Sequence, residues 1–297
     1  MIVGVDLGGT KIRAGLINKF EVKKEITLLT NAKQGRKKVL KTLFEAIDYV
    51  FDNNVEKIGI AVAGSTDGKK VFEATNIKCL NNINLASIIS KRYGVKCFLE
   101  NDANAFALAE YHFIKKKNPK LKNLVGITLG TGVGGGIIIN GEIYRGSFFS
   151  AGEIGHMSIA SNLIKCGCGN YDCFEVYCNG KAIERYYYEL TKKRVPSDMI
   201  GKEISKDKNA LKAIHTYSKY LGIGLVNIAN IFSPEYIVIG GGISKLDEIY
   251  KPAIKHFKRY ALKSVKKTKI IKSRLGDNSI VIGASMLSFS SKKKKKF

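Results

Sequence analysis

Two segments with the same pattern constrain the fold of this chain more than any other feature of its sequence. VGVDLGGTKIRAGLI spans residues 3–17 and VGITLGTGVGGGIII spans residues 125–139. Each pattern predicts a strand, a glycine-rich turn and a second strand. Because one such hairpin stands in each half of the chain, the sequence predicts two similar lobes around one cleft.

The rest of the chain alternates strand and helix patterns, which indicates an α/β fold. RKKVLKTLFEAIDYVFDN, for example, places its apolar side chains at helical spacing. The polar segment KKKNPKLKN, residues 115–123, predicts a crossover or hinge. We therefore expect a smaller lobe at 1–117 together with a C-terminal helix at about 276–290, a larger lobe at 118–275, and a basic tail at 291–297.

The net charge of +25 raises the possibility of nucleic-acid binding. Only 8 of the 50 basic residues are arginine, and the lysines are scattered along the chain. Arginine is the residue that recognises base edges and phosphates through two parallel hydrogen bonds. We interpret the charge as a solvated surface and expect no specific nucleic-acid partner, although weak, salt-sensitive binding to polyanions is expected.

No apolar run reaches the ~18 residues of a membrane span, and the N-terminus MIVGVDLGGT lacks the features of a signal peptide. We therefore expect no membrane association and a cytoplasmic location. In that reducing compartment, cysteines that cluster in the sequence favour metal binding over a disulfide.

The glycine turns allow a phosphate-binding and a purely structural interpretation. DLGGT exposes backbone N–H groups that can wrap a phosphate, with Asp6 placed to hold Mg²⁺, but a simple hairpin turn fits equally well. Gly130, Gly132 and Gly135 match the dinucleotide-binding spacing, yet a strand rather than a helix follows them, so a second phosphate hairpin fits better. In IVIGGGIS, a strand, three glycines and an expected helix form either a nucleotide contact or a tight turn.

LENDANA places Glu100, Asn101 and Asp102 between a predicted strand and a predicted helix. A carboxylate at this position can accept the proton of an attacking hydroxyl. Asp102 is also suited to cap the helix, and on this segment alone the cap is the better interpretation.

CGCGNYDCFE, residues 166–175, contains three of the six cysteines of the chain. With His156 of GEIGHMS, Cys166, Cys168 and Cys173 form the spacing H-x9-C-x-C-x4-C, a donor set typical of structural Zn²⁺. C-x-C is not the usual redox spacing. Cys79, Cys97 and Cys178 lie outside the pattern and are expected to be ordinary buried thiols.

Six of these segments occur in the order found in one known family. By DLGGTK, END, TLGTGVGGG, GEIGH, CGCGNYDCFE and IVIGGGIS, the chain resembles the ROK family of bacterial sugar kinases and sugar-responsive repressors. The resemblance extends over nearly the whole chain and is strongest to zinc-containing glucokinases. It implies the two-lobed actin–hexokinase-like (ribonuclease H-like) ATPase fold.

The resemblance also implies roles for individual residues. It implies Asp102 as general base and a structural zinc held by His156, Cys166, Cys168 and Cys173. ATP and its Mg²⁺ are implied at Asp6, Gly8, Gly9, Thr10, Lys11, Thr131, Gly132, Gly134, Gly241 and Gly242. Sugar binding is implied for Gly64, Asn76, Asn101, Asp102, Glu153, His156 and Glu175. A zinc site would fix the two glutamates beside its ligands against the sugar.

The sequence departs from the family pattern at two places. Asp172 stands where the family often has glycine before the last zinc cysteine, and the sugar loop AVAGSTDG lacks the usual proline. These departures bear on the choice of sugar and not on the kinase activity. The resemblance implies an ATP:hexose 6-phosphotransferase that acts on glucose in glycolysis, with N-acetylglucosamine, N-acetylmannosamine or fructose kinases as alternatives.

The repressors of this family need a DNA-binding domain before DLGGT. That motif begins here at residue 6, so a sugar-sensing repressor is a remote alternative. The resemblance also suggests a homodimer.

Overall fold

The computed structural model describes residues 1–290, with side chains to residue 287, and the predicted basic tail at 291–297 lies outside this part. The chain divides into two compact units. The first contains Met1–Leu121, Gly141–Ala151 and the segment that begins at Leu275. The second contains Lys122–Asn140 and Gly152–Arg274. The expected larger lobe kept 118–275 together, whereas here Gly141–Ala151 groups with the first unit.

The first unit is built on a five-stranded mixed sheet. The sheet order is β3-β2-β1-β4-β7, in which β1, β2 and β3 are antiparallel and β1, β4 and β7 are parallel. These strands are β1 (Ile2–Leu7), β2 (Lys11–Asn18), β3 (Glu21–Leu29), β4 (Lys57–Val62) and β7 (Lys96–Asn101). The short strands of this unit are β5 (Ser65–Thr66), β6 (Val71–Glu73) and β10 (Glu142–Ile143). Its helices are α1 (Arg36–Val50), α2 (Leu85–Tyr93), α3 (Asp102–Lys115) and α9 (Ser279–Ser290).

The C-terminal helix α9 lies directly on the sheet and on α3 because glycines leave room for its backbone. A Cβ added to Gly59 of β4 would lie 1.8 Å from the Ala284 carbonyl oxygen. A Cβ on Gly283 would lie equally close to the carbonyl oxygen of Ala105. Contacts this short are impossible for a side chain, so the helix can reach this position only over glycine.

The second unit repeats the pattern of a hairpin followed by parallel strands. Within this unit, four strands pair in the order β9-β8-β11-β12, with β8 and β9 antiparallel and β8, β11 and β12 parallel. These strands are β8 (Leu124–Leu129), β9 (Val133–Ile139), β11 (Tyr236–Gly240) and β12 (Lys269–Lys272). The helices are α4 (Phe174–Cys178), α5 (Gly180–Thr191), α6 (Ser197–Lys202), α7 (Lys208–Phe232) and α8 (Tyr250–Tyr260).

Each unit has its own apolar core, and the predicted α/β class with two similar hairpins is confirmed. One predicted helix is displaced. After β11 the chain forms two short 3-10 turns over Gly242–Lys245 and Asp247–Ile249, and α8 begins only at Tyr250. Among the described residues, no helix combines the length and apolar character needed to cross a membrane.

Candidate functional site

The turn between β1 and β2, predicted to be a phosphate loop, is closely packed. The Gly8 N–H donates to the Lys11 carbonyl oxygen (3.0 Å), and the Thr30 hydroxyl donates to the Gly8 carbonyl oxygen (2.6 Å). A Cβ on Gly9 would lie 2.5 Å from the Cβ of Asn76, so glycine is required here. The structure therefore brings Asn76, expected at the sugar loop, beside the first glycine turn. Thr10 is exposed at the tip of this turn.

Asp6, the last residue but one of β1, lies within electrostatic reach of Asp102. Burial, and after it the negative charge of Asp102, raise the pKa of Asp6 to about 7 against the opposing effect of Arg13. Two neighbouring carboxylates at one sheet edge repel each other, and a divalent cation offsets that repulsion. The residues present therefore fit Mg²⁺ at this edge.

Asn101, not Asp102, caps helix α3, so the capping interpretation of Asp102 is wrong. The Asn101 side-chain oxygen accepts the N–H groups of Ala103 (2.9 Å) and Asn104 (3.1 Å). Its amide donates to the carbonyl oxygen of Gly64 (3.2 Å), which joins two residues expected at the sugar. Asp102 is the first residue of the helix, and its carboxylate accepts the neighbouring Ala103 N–H (2.8 Å).

Glu100 holds this segment in place through contacts that were not predicted from the sequence. Its side chain is 2% exposed, and its Oε2 accepts a hydrogen bond from Arg145 Nε (2.7 Å). Arg145 Nη2 forms an ion pair with the same oxygen at 2.6 Å. It also accepts the Asn101 N–H (2.9 Å) and the Asn104 amide (3.1 Å). Arg145 is one of only eight arginines in a lysine-rich chain, which is the one feature that could have drawn attention to it.

In the second unit, the turn between β8 and β9 is joined to Glu175. The Val133 N–H donates to Glu175 Oε2 (3.0 Å), and a Cβ on Gly132 would lie 2.4 Å from that oxygen. The second glycine loop and the expected sugar-binding glutamate are therefore in direct contact. Thr131 is exposed at the tip of the turn, and Gly134 pairs with Thr128 in the hairpin.

The four predicted metal ligands meet at one point. The ligand atoms of His156, Cys166, Cys168 and Cys173 all lie within 4.8 Å of one another. Cys168 and Cys173 Sγ are 3.6 Å apart, and Cys166 Sγ is 3.8 Å from His156 Nδ1. Tetrahedral zinc with ordinary bond lengths separates such ligand atoms by about 3.5–3.8 Å, so the donor set fits zinc in chemistry and in spacing.

The surroundings of the ligands connect this cluster to both expected sugar glutamates. His156 Nε2, the nitrogen not facing Cys166, lies 3.9 Å from Glu153 Oε2. Cys166 Sγ lies 4.0 Å from Glu175 Oε1. Burial raises the pKa of Cys173 to about 12, whereas the Asn170 N–H lowers the pKa of exposed Cys168.

The three remaining cysteines lie elsewhere and are free thiols. Cys97 and Cys178 are buried, as expected, whereas Cys79 is only half-buried.

A cavity of about 620 Å³ opens beside the second glycine loop within the second unit. Gly242 and Thr131, both expected at the nucleotide, line it. Gly241 has a φ of +86°, and a Cβ on it would lie 2.3 Å from the Leu129 carbonyl oxygen. Sequence analysis missed other lining residues from α5 and α6, namely Gly180, Lys181, Glu184, Ser197, Asp198 and Lys202.

Comparison with known proteins identifies the family. The ROK family profile matches residues 2–290. The chain is 30% identical to the N-acetyl-D-glucosamine kinase of Histophilus somni over 302 residues, covering 97% of this chain and 98% of that protein. It is 31% identical to the glucokinase of Streptomyces coelicolor over 315 residues, with 97% of each chain covered.

A solved structure supports the same relationship. The ROK family glucokinase from Streptomyces griseus, in complex with glucose and AMPPNP, has a TM-score of 0.83 at 29% identity. The match covers 96% of this chain and 98% of that chain. The actin–hexokinase-like fold of ROK kinases is therefore the fold of this chain.

Proposed function

Because the chain belongs to the ROK family, we propose that it is an ATP-dependent hexose kinase that phosphorylates the 6-hydroxyl of glucose. Relatives named as glucokinase and as N-acetyl-D-glucosamine kinase match it about equally well, so sugar phosphorylation is the common part of the proposal. Glucose as the substrate is the more specific part of the proposal, and N-acetylhexosamines and fructose are the alternative substrates.

The observation that carries the proposal is the placement of Asp102 beside Asp6 at the carboxyl edge of the first sheet. β1, β4 and β7 are parallel neighbours in register, so their carboxyl ends share one edge, where the first glycine turn also begins. Phosphoryl transfer needs phosphate positioning, charge neutralisation and a group to orient or deprotonate the attacking hydroxyl. This edge offers residues for all three.

In the proposed mechanism, Asp102 accepts the proton of the sugar 6-hydroxyl as the hydroxyl oxygen attacks the γ-phosphorus of ATP. The bond from that phosphorus to the β–γ bridging oxygen breaks, and ADP leaves. Asn101 is held by its cap and by Gly64, so its position is fixed before the sugar binds. N–H groups of the two glycine turns would hold the phosphates. Mg²⁺, bound near Asp6, would neutralise phosphate charge.

Glu153, His156 and Glu175 are proposed to bind the other sugar hydroxyls. The zinc site would fix these three side chains without taking part in the chemistry, because four protein ligands leave zinc no open position. The cavity lined by Thr131 and Gly242 is proposed to hold the adenosine. The homodimer and the cytoplasmic location stay predictions.

A sugar panel tests the proposal. Purified protein with ATP and Mg²⁺ is assayed for ADP release with glucose, N-acetylglucosamine, N-acetylmannosamine and fructose. We expect the highest kcat/KM with glucose. A higher kcat/KM with an acetylated sugar or fructose would replace glucose by that alternative, and no sugar-dependent ADP release at all would overturn the kinase.

A further inference from the structure

The position where this chain departs from the family pattern has an unusual local structure. Asp172 lies next to the metal ligand Cys173, is 3% exposed and has a φ of +57°. A left-handed φ is natural for glycine and unfavourable for most other residues. The side chain must therefore make contacts that compensate for this conformation.

Those contacts are three hydrogen bonds to one carboxylate. Oδ2 accepts the N–H of Leu163 (2.8 Å), and Oδ1 accepts the N–H of Ile164 (3.1 Å). Oδ1 also accepts the hydroxyl of Tyr177 (2.5 Å), a residue of α4 that is 1% exposed. A glycine at this position could make none of these bonds.

The backbone of Asp172 ties the same segments together. Its N–H donates to the Ile164 carbonyl oxygen (2.8 Å), and its carbonyl oxygen accepts the Ile159 N–H (2.9 Å). Asp172 therefore joins the chain before Cys166 to the helix that carries Glu175. The Tyr177 ring packs 4.3 Å from the Tyr220 ring of α7, so the connection continues into the core of the second unit.

We propose that Asp172 is a positioning residue that holds the cysteine loop, and with it Glu175, in the geometry needed for metal and sugar binding. This inference rests on the proposed function for the sugar part only. The ligands Cys166, Cys168 and Cys173 occupy one short loop, and a loop held in shape loses less conformational freedom when the metal binds. Groups around a metal site that orient its ligands commonly contribute about 10–100-fold in metal affinity.

The test compares Asp172→Asn with a matched control. Asparagine tolerates a left-handed φ, so the backbone is not strained by the change. It replaces one of the two acceptor oxygens by an amide that donates, and therefore cannot accept all three bonds. The control, Asp207→Asn, has similar chemistry: Asp207 accepts the Tyr187 hydroxyl (2.7 Å) and the Asn209 N–H (2.7 Å) far along the sequence from the loop.

Each protein is purified with its metal, and zinc affinity is measured by competition with a chromogenic chelator. We expect Asp172→Asn to weaken zinc binding by about tenfold or more, and Asp207→Asn to leave it unchanged. Tyr177→Phe, which removes one of the three bonds and keeps the ring, should give an intermediate loss. It also provides the measurement if Asp172→Asn does not fold.

Sugar kinetics of the metal-loaded proteins separate positioning from general stability. We expect Asp172→Asn to raise the KM for the sugar several-fold with kcat within about twofold, because Asp102 and the first glycine turn are untouched. Unchanged zinc affinity and unchanged KM, with only a lowered melting temperature, would show that Asp172 merely stabilises the fold and would overturn the proposal. The zinc measurement needs no kinase activity, so it distinguishes failure of this inference from failure of the proposed function.

Discussion

The Glu100–Arg145 ion pair gives a stability prediction whose size follows from the structure. Arg145→Met keeps the apolar stem and removes the guanidinium, which leaves a carboxylate that is 2% exposed without its charged partner. Breaking a buried pair in this way costs about 3–5 kcal/mol. Arg145 is 35% exposed, so water reaches part of the site and we expect a smaller loss of about 2–3 kcal/mol.

The assay is the melting temperature of the ligand-free protein, followed by circular dichroism. For a unit of this size, a loss of that order lowers the melting temperature by about 4–12 °C. Arg92→Met is the matched control because Arg92 pairs with Asp48 at 2.9 Å while both side chains are 47% exposed, so little change is expected.

Adding Glu100→Gln to Arg145→Met should recover part of the loss, because the neutral amide no longer places an unpaired charge in the core. An Arg145→Met variant that melts no lower than Arg92→Met, or a double variant that melts no higher than Arg145→Met, would refute the reasoning.

Three further predictions concern the remaining parts of the site. The pKa of Asp6 is raised from 3.8 to about 7, so the stability from its protonated form is present below about pH 4 and is lost as the pH rises through 7. Asp6→Asn should flatten that part of the curve of melting temperature against pH, measured without Mg²⁺; parallel curves would contradict it. Elemental analysis should find about one zinc per chain, and Cys168→Ser should lose both the metal and stability. A wild-type protein that is purified without zinc and melts at the same temperature as Cys168→Ser would exclude the site. Gly132→Ala should raise the KM for the sugar about tenfold or more in steady-state assays, because its methyl group would lie 2.4 Å from Glu175 Oε2; unchanged kinetics would disconnect the loop from the sugar.

Local patterns predicted the parts of this protein that depend on neighbouring residues. Both glycine hairpins follow from short repeats of apolar residues and glycine. The metal cluster was predictable because three of its ligands lie within eight residues and the fourth only ten residues before them. Periodicity likewise predicted the amphipathic helix α1.

Contacts between distant segments were not predictable from these patterns. Glu100 and Arg145 are 45 residues apart, and nothing local marks their pairing. The cavity residues of α5 and α6 are brought to Gly242 only by the folded second unit. The prediction of the α3 cap was wrong for a different reason. Asn101 and Asp102 are adjacent and both are good caps, so a shift of one residue in the start of the helix changes which of them is the cap.

Asp172 illustrates a third kind of limit. Its departure from the family pattern was visible in the sequence, but its role depends on a backbone angle and on partners from two segments. A substitution of glycine by aspartate carries no indication of such bonds until the fold is known.

The kinetics of Asp102→Asn test the central proposal most directly. Asparagine keeps the shape of the side chain and can hydrogen-bond to a hydroxyl, but it cannot take up a proton at neutral pH. Because Asn101 and not Asp102 caps the helix, the variant should melt close to the wild type. A general base contributes about 10²–10⁴-fold, so we predict that kcat falls at least about a hundredfold while sugar binding weakens less. A stable variant with kcat within about threefold of the wild type, a difference of only ~0.65 kcal/mol, would contradict the account.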